Sequence, residues 1–261
     1  MLEVSNLNFS YTKKYQTLKN IYFKANQKEL TIILGSNGVG KSTLFNLILG
    51  NLKPKSGDIK IDGKSIVNLH PNKRAKLVSF VPQEWSSPFN YKALDIVLMG
   101  LASKISLFSN PSKDDIFRAT NLFELLDIKH LINSNIKELS GGQRQMILLC
   151  RALITQSPVL LLDEITSHLD LKNQIKILSI LQYLAKHKDI SILSTLHDPN
   201  LASLYADYII ALKDGTIYVS GRKDEVINQE ILENLYETPI EMSFYNGSYI
   251  VRGKKIYYDR S

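Results

Sequence analysis

The sequence predicts an α/β fold: a core built on a largely parallel sheet covered on both faces, with an N-terminal antiparallel β layer and a helical segment inserted in the chain. Three observations carry this. Short apolar runs recur between longer helical patterns, at 29–34, 78–81, 159–163, 190–195 and 208–212. Strands that alternate with helices pair in parallel and are buried on both faces, so they read as continuous apolar runs. The stretch 2–24 instead reads as short strands rich in aromatics, a separate antiparallel layer, and between 84 and 157 the pattern turns helical.

Each element has its own signal. Leu171, Ile175, Leu178, Leu181 and Ala185 share one face of a helix, which is expected to cover the sheet between two strands. In the insert the clearest helices are 92–102, 113–127 and 141–155. The C-terminal end alternates short strands with one helix at 223–237 and closes with 242–258, where Asn246-Gly247 is a two-residue hairpin signal. The resulting organisation is a core from 1–83 and 158–261, with 84–157 as a helical subdomain.

Composition narrows the function classes. With 261 residues, 44% of them apolar, the chain can fill a sizeable core. Its longest apolar stretches fall far short of the roughly 18 residues that read as a membrane span. The start MLEVSNLNFSY lacks a basic region followed by an apolar one, so no secretory signal is read and a cytoplasmic location is expected. The single cysteine, Cys150, lies in an apolar helical pattern and reads as core, without a redox role. The formal charge of +7 comes from scattered residues, with no dense basic run or aromatic-interleaved stripe, so no nucleic acid is expected as a partner.

The chemistry begins at GSNGVGKS, which follows the apolar run ELTIIL and opens the helical pattern TLFNLILG. This strand, loop and helix is the context of a phosphate-binding P-loop. Gly35, Gly38 and Gly40 let the backbone wrap around phosphate oxygens, while the amides of Ser36, Asn37 and Val39 and a helix N-terminus make a positive concavity. Lys41 places an ammonium between the outer phosphates, Ser42 offers a hydroxyl to Mg²⁺, and Thr43 reaches a phosphate nearer the sugar. Kinases, GTPases and motors share such a loop, so it fixes a phosphate ligand and not a family.

Further motifs narrow the reading. LSGGQRQ, starting at Leu139, is followed within about twenty residues by VLLLDE, and the pair resembles the signature and Walker B motifs of the ABC family of P-loop NTPases with a RecA-like core. The other landmarks fall in family order: Tyr11 in NFSYT, Gln83 in FVPQE, the SHLD segment ending at Asp170, and His197 in TLHDPN. The resemblance covers nearly the whole chain and implies an ATPase using ATP and Mg²⁺. Asp163 and Glu164 end a buried strand, where carboxylates are costly unless they serve a cation or a reactive water. By resemblance Asp163 holds Mg²⁺ through water, Glu164 is the general base, His197 contacts the γ-phosphate, Gln83 bonds water or Mg²⁺, and Tyr11 stacks on the adenine. Ser140, Gly141, Gly142 and Gln143 sit at a helix start, a second anion-binding end away from their own P-loop. In the family that end completes the nucleotide site of a second subunit, so two copies are expected head-to-tail around two ATP molecules; Asp170 of the SHLD segment is expected among the nucleotide-binding residues. Ile165 departs from the family, which usually has proline there; a slightly looser turn is expected. His168 is assigned no chemistry.

The segment EWSSPFNYKALDIVLMG after Gln83 and the tail DGTIYVSGRKDEVINQEILENLYETPI resemble the metal-chelate uptake class, which serves importers of iron–siderophore, haem, cobalamin or molybdate. That class implies a membrane permease contacting the surface near the Gln83 loop, a separate substrate-binding protein, and a peripheral place on the inner face of the cell membrane. After Gly215 the tail is too short for the regulatory barrel of sugar-importer subunits. Two other readings share the motifs: a soluble ABC ATPase in iron–sulfur cluster assembly or another scaffold, and an ABC protein acting on ribosomes or DNA. The last usually carries two ATPase domains or a long coiled-coil insert, and this sequence has neither.

Overall fold

The computed structural model describes residues 1–12, 15–105, 109–167 and 169–255. β1 (Leu2–Phe9) and β2 (Leu18–Ala25) pair antiparallel, with Leu2 opposite Ala25 and Phe9 opposite Leu18. Leu2, Val4, Leu7, Leu18, Ile21 and Ala25 are fully buried while Lys19, Asn20 and Lys24 face out, the pattern of a sheet with one wet face. β3 (Leu30–Leu34) is buried along its whole length and runs through the glycine-rich loop into α1 (Lys41–Leu49). β4 (Ser56–Ile61) returns beside β1 and is followed by β5 (Lys64–Ser65), giving the antiparallel order β2-β1-β4-β5. The aromatic-rich N-terminus therefore supplies two of the four strands; β4 has too few apolar residues to stand out.

α2 (Pro71–Arg74) is a single turn whose last residue braces the core. The buried Arg74 guanidinium donates to the carbonyls of Leu47 at 3.3 Å and Val67 at 2.8 Å, and to that of Ile66, tying the end of α1 to the antiparallel layer. Burial holds its pKa below the usual arginine value. After β6 (Val78–Val81) come the helices of the insert: α3 (Ala93–Met99), α4 (Lys113–Leu125) and α5 (Gly141–Leu153). α4 and α5 each begin with a reciprocal cap, Ser112 with Asp115 and Ser140 with Gln143.

The chain then continues as β7 (Val159–Leu162), α6 (Leu171–His187), β8 (Ser191–Thr195), α7 (Pro199–Tyr205), β9 (Tyr208–Lys213) and β10 (Thr216–Arg222). The main sheet runs β10-β9-β3-β8-β7-β6, parallel throughout except for β10, which pairs antiparallel with β9. Its side chains alternate: Ile33, Leu161, Leu193 and Ile210 pack toward α1 and the antiparallel layer, while Ile32, Leu160, Ile192 and Ile209 join the core beneath α5 and α6. Cys150 is buried in that second core, and burial pushes its thiol pKa upward, the opposite of a reactive cysteine.

Two expectations are corrected. The α6 face does not cover the sheet along its whole length, because Leu171 and Ile175 are exposed at 67% and 42% while Ile177, Leu178, Leu181, Leu184 and Ala185 are buried. A 17-residue helix is about 25 Å long and a five-residue strand about 17 Å, so its first turns overhang the carboxyl edge of the sheet. The expected helix at 223–237 is two, α8 (Lys223–Val226) and α9 (Gln229–Tyr236), broken where Asn228 turns extended and its side chain accepts from the Ile231 amide at 2.9 Å. The terminal hairpin forms as expected from β11 (Ile240–Tyr245) and β12 (Ser248–Gly253), with Asn246 at φ 47° and Gly247 at φ 82°, the left-handed pair a two-residue turn needs. The expected extension to residue 258 and the expectation for His168 lie outside the described residues.

Candidate active site

The carboxyl ends of β3, β6, β7 and β8 meet at one edge of the sheet, the place where open α/β sheets bind ligands. β3 delivers the glycine-rich loop. Gly35 passes so close to β9 that a Cβ there would lie 2.4 Å from the Leu212 carbonyl oxygen, and Gly40, at φ 113°, caps α1 with Leu18 2.7 Å from where its Cβ would be. Ser36, Asn37 and Gly38 are exposed, Val39 is half-buried, and Ser42 is exposed at the start of α1. The loop thus presents its main chain and the helix N-terminus outward.

Lys41 is buried, and its ammonium donates to the Gly35 and Ser36 carbonyls at 2.7 and 3.0 Å. Desolvation lowers its pKa, opposed by the negative charges of Glu164 and Asp163. The Tyr11 ring is 63% exposed, stands edge-on to Phe9 at 4.9 Å, and its hydroxyl lies 3.2 Å from Thr43 Oγ1. It therefore stands beside the start of α1 with a face free for a flat ligand.

β7 delivers the acidic pair. Asp163 is buried, and its Oδ1 accepts from Thr195 Oγ1 at 2.8 Å. The same hydroxyl accepts from the Glu164 amide at 2.8 Å, so Thr195, at the end of β8, orders both acidic residues. Glu164 takes φ 46°, a left-handed conformation that costs a side-chain-bearing residue roughly 1 kcal/mol or more. Its Oε1 lies 2.5 Å from Nε2 of His197, two residues beyond β8, and its Oε2 accepts from Ser167 Oγ at 3.4 Å. The turn holding Ile165 closes with Ser167 N donating to the Glu164 carbonyl at 2.9 Å, and the Ile165 side chain is fully buried.

Gln83 leaves β6 beside this pair, since the Asp163 amide donates to the Val81 carbonyl at 2.9 Å. Its own carbonyl accepts from Gln145 Nε2 on α5 at 3.0 Å. The Ser140–Gln143 start of α5 is closed by its cap, Gln143 N to Ser140 Oγ at 3.3 Å and Ser140 N to Gln143 Oε1 at 2.9 Å, leaving Ser140 and Gly141 exposed. Gly142 packs against Asn173 of α6, whose amide nitrogens bond the capping carboxylate of Asp170 at 2.8 and 3.1 Å. Tyr11, the loop, Asp163, Glu164, His197 and Gln83 thus gather at one edge, while Ser140 to Gln143 and Asp170 form a second group joined to them through Gln145. Sequence reasoning missed Thr195, Gln145 and Arg74. Thr195 reads as a strand residue, Gln145 as one polar residue of an apolar helix, and Arg74 as surface charge in PNKRAK.

The ABC transporter family model matches residues 18–167, from β2 to the turn after the acidic pair. A "Probable iron chelatin transport ATP-binding protein" of Helicobacter pylori is 39% identical over 252 residues, covering 96% of this chain and 98% of its own. A solved structure of an ABC transporter described as of metal-chelate type, in an inward-facing conformation, superposes with TM-score 0.85 at 34% identity, covering 98% of this chain and 97% of its own. A dimeric bacterial ABC transporter cassette superposes with TM-score 0.74 at 27% identity over 85% of this chain and 99% of its own. The residues that the sheet edge collects and the near end-to-end match to these relatives lead to one assignment: the chain belongs to the ABC transporter family, as an ATP-binding, ATP-hydrolysing subunit.

Proposed function

We propose that this chain is the motor of an importer, a head-to-tail pair of identical chains that closes on ATP and drives uptake of a metal chelate or related small ligand through a membrane permease. The substrate class rests on the named activity of the Helicobacter relative and on the metal-chelate type of the structural neighbour. The permease seat is the surface near the Gln83 loop. A separate binding protein delivers the ligand, and the chain sits on the inner face of the cell membrane; no described helix is long and apolar enough to cross it. In this reading 1–83 and 158–261 form the nucleotide-binding core and 84–157 the signature subdomain.

The observation that carries the mechanism is the contact of Glu164 with His197 at 2.5 Å beside the buried Lys41. The loop amides and the start of α1 hold the phosphates, Lys41 turns its ammonium from the loop carbonyls to the outer phosphates, and Tyr11 stacks on the base. Glu164 takes the proton of the attacking water while His197 orients it and meets the γ-phosphate. The donors offered to a metal are the Ser42 hydroxyl, the Gln83 amide and the Asp163 carboxylate, a set suited to Mg²⁺, which takes one or two carboxylates and completes its shell with phosphates and water. When bound, Mg²⁺ neutralises charge developing on the phosphates. The exposed Ser140, Gly141 and Asp170 and the half-buried Gln143, with the apolar Leu171 overhanging the same edge, are the surface that meets the second copy's nucleotide.

Glu164→Gln tests this. The variant keeps shape and MgATP binding and loses about 10²–10⁴-fold in hydrolysis. With ATP it forms a stable dimer by light scattering, whereas with ADP it stays monomeric. A variant that binds ATP tightly and remains monomeric sinks the two-chain mechanism, and one that hydrolyses normally removes the base role from Glu164.

A further inference from the structure

The C-terminal segment contributes no residue to the nucleotide site described above, yet its polar groups converge on the loop after β8. Tyr236, the last residue of α9, donates its hydroxyl to the main-chain carbonyl of His197 at 3.2 Å. Around this contact the segment is fastened twice more to the same region. Asn200, in the first turn of α7, exchanges two bonds with Val251 of β12, accepting from its amide at 2.7 Å and donating to its carbonyl at 3.2 Å. Ser203 Oγ accepts from the Tyr249 amide at 3.0 Å. The end of α9 is also pinned to β9, where Lys213 donates to the Asn234 carbonyl at 2.5 Å and pairs with Glu237 at 3.0 Å, one residue from the Leu212 carbonyl against which Gly35 packs.

Tyr236 is the member of this set that touches His197 itself. Its ring packs on the larger core, and burial together with the neighbouring Asp198 raises its pKa, so the phenol remains a donor at neutral pH. A carbonyl held by a fixed donor cannot rotate without losing that bond. Downstream, the peptide is fixed by Asp198, which caps α7 by accepting from the Asn200 amide at 2.8 Å, and by Pro199 at the first helical position. The main chain on the C-terminal side of His197 is therefore clamped, leaving its side-chain torsions as the freedom that brings the ring to Glu164.

We propose that Tyr236 is a positioning residue for His197: by holding the carbonyl it sets the approach of the imidazole to Glu164, so the C-terminal helix supports hydrolysis without touching nucleotide. This rests on the roles given above to His197 and Glu164. The test is Tyr236→Phe in the 261-residue chain, which keeps the ring and removes the hydroxyl. Loss of one neutral hydrogen bond predicts a kcat lower by up to about five-fold, with KM and ATP affinity unchanged, the melting temperature lower by only roughly 2–4 °C, and the NMR resonances of the His197 ring displaced. In the His197→Ala background the same substitution leaves the residual rate unaltered. Parent-like kcat with unmoved ring resonances overturns the proposal, as does an equal loss of rate in both backgrounds, which would place the action of Tyr236 elsewhere. If His197→Ala alone hydrolyses like the parent, the role given to His197 fails, and the ring resonances still decide whether Tyr236 positions it.

Discussion

Thr195→Val removes the one hydroxyl on which both acidic residues depend and changes little else in shape. Thr195 is fully buried, and its Oγ1 makes two bonds of 2.8 Å, donating to the Asp163 carboxylate and accepting from the Glu164 amide. A bond to a charged group contributes about 1.5–3 kcal/mol, and a buried donor left without a partner costs about 1–3 kcal/mol. The expected destabilisation is therefore about 3 kcal/mol, which for a chain of this size lowers the melting temperature by roughly 6–12 °C. Glu164 is held at φ 46°, and freeing its amide lets the backbone relax away from that geometry. Misplacement of a reacting group by about 1 Å can cost some 10²-fold, so hydrolysis at saturating ATP is expected to fall by about 10–100-fold. Thermal unfolding followed by fluorescence and phosphate release together read both effects. Thr195→Ser retains the hydroxyl and should recover most of the rate. A valine variant that melts within about 2 °C of the parent and hydrolyses normally would refute the argument that one hydroxyl organises the pair.

Two further substitutions separate the halves of the site. Lys41→Ala removes a buried ammonium directed at phosphate and should weaken ATP binding by about 10–100-fold, the size of a charge-assisted bond; nucleotide titration at fixed Mg²⁺ measures it, and unchanged affinity would defeat the P-loop assignment. Ser140→Arg should leave ATP binding to the isolated chain nearly intact while abolishing hydrolysis and dimer closure, at the expense of about 1 kcal/mol of stability from the lost helix cap. Normal hydrolysis by that variant in the assembled complex would remove the composite two-chain site.

The fold was legible wherever burial forces a simple pattern. β3, β6, β7, β8 and β9 are packed on both faces, so each appears as a short, mainly apolar run broken only by small hydroxyl residues such as Thr31, Ser79 and Ser194 (β9 ends in Lys213), and the expected bounds fall within a residue of those observed. Half of the antiparallel layer was not legible, because β4 buries only Ile59 and Ile61 and takes its pairing from β1. The break between α8 and α9 depends on one capping Asn, whose preference is small beside the apolar periodicity running through it. At the site, the glycine loop and the acidic pair announced themselves because their residue types are costly anywhere else. Thr195 did not, since threonine is at home in a strand, and its role appears only when β7 and β8 are adjacent in parallel register. Tyr236 is hidden in the same way: 39 residues separate it from His197.

Gln145 gives the insert a mechanical meaning. Its Nε2 is bonded to the Gln83 carbonyl at 3.0 Å, while its buried Oε1 has no partner among the described residues. A buried acceptor without a partner is unfavourable, so this joint is less secure than its burial implies. α5, on which Gln145 sits, begins at the capped Ser140, and Gly142 in its first turn packs on the Asn173 that bonds Asp170. Displacement of the Gln83 loop therefore has two outcomes: it carries α5, and with it the exposed Ser140 end, or it breaks a single hydrogen bond worth about 1 kcal/mol. The alternative is an insert fastened by many polar bonds, in which the Gln83 loop could not shift at all. Among the described residues the Gln83 carbonyl is joined to α5 by this one side-chain bond, while the insert's other polar tie to the core, Lys176 of α6 to Asp127 at 3.3 Å, lies at the far end of α4. The loop next to Asp163 and the helix start that faces outward can therefore move as a unit or separate for a few RT, which is the range over which binding of a nucleotide can bias a two-position element.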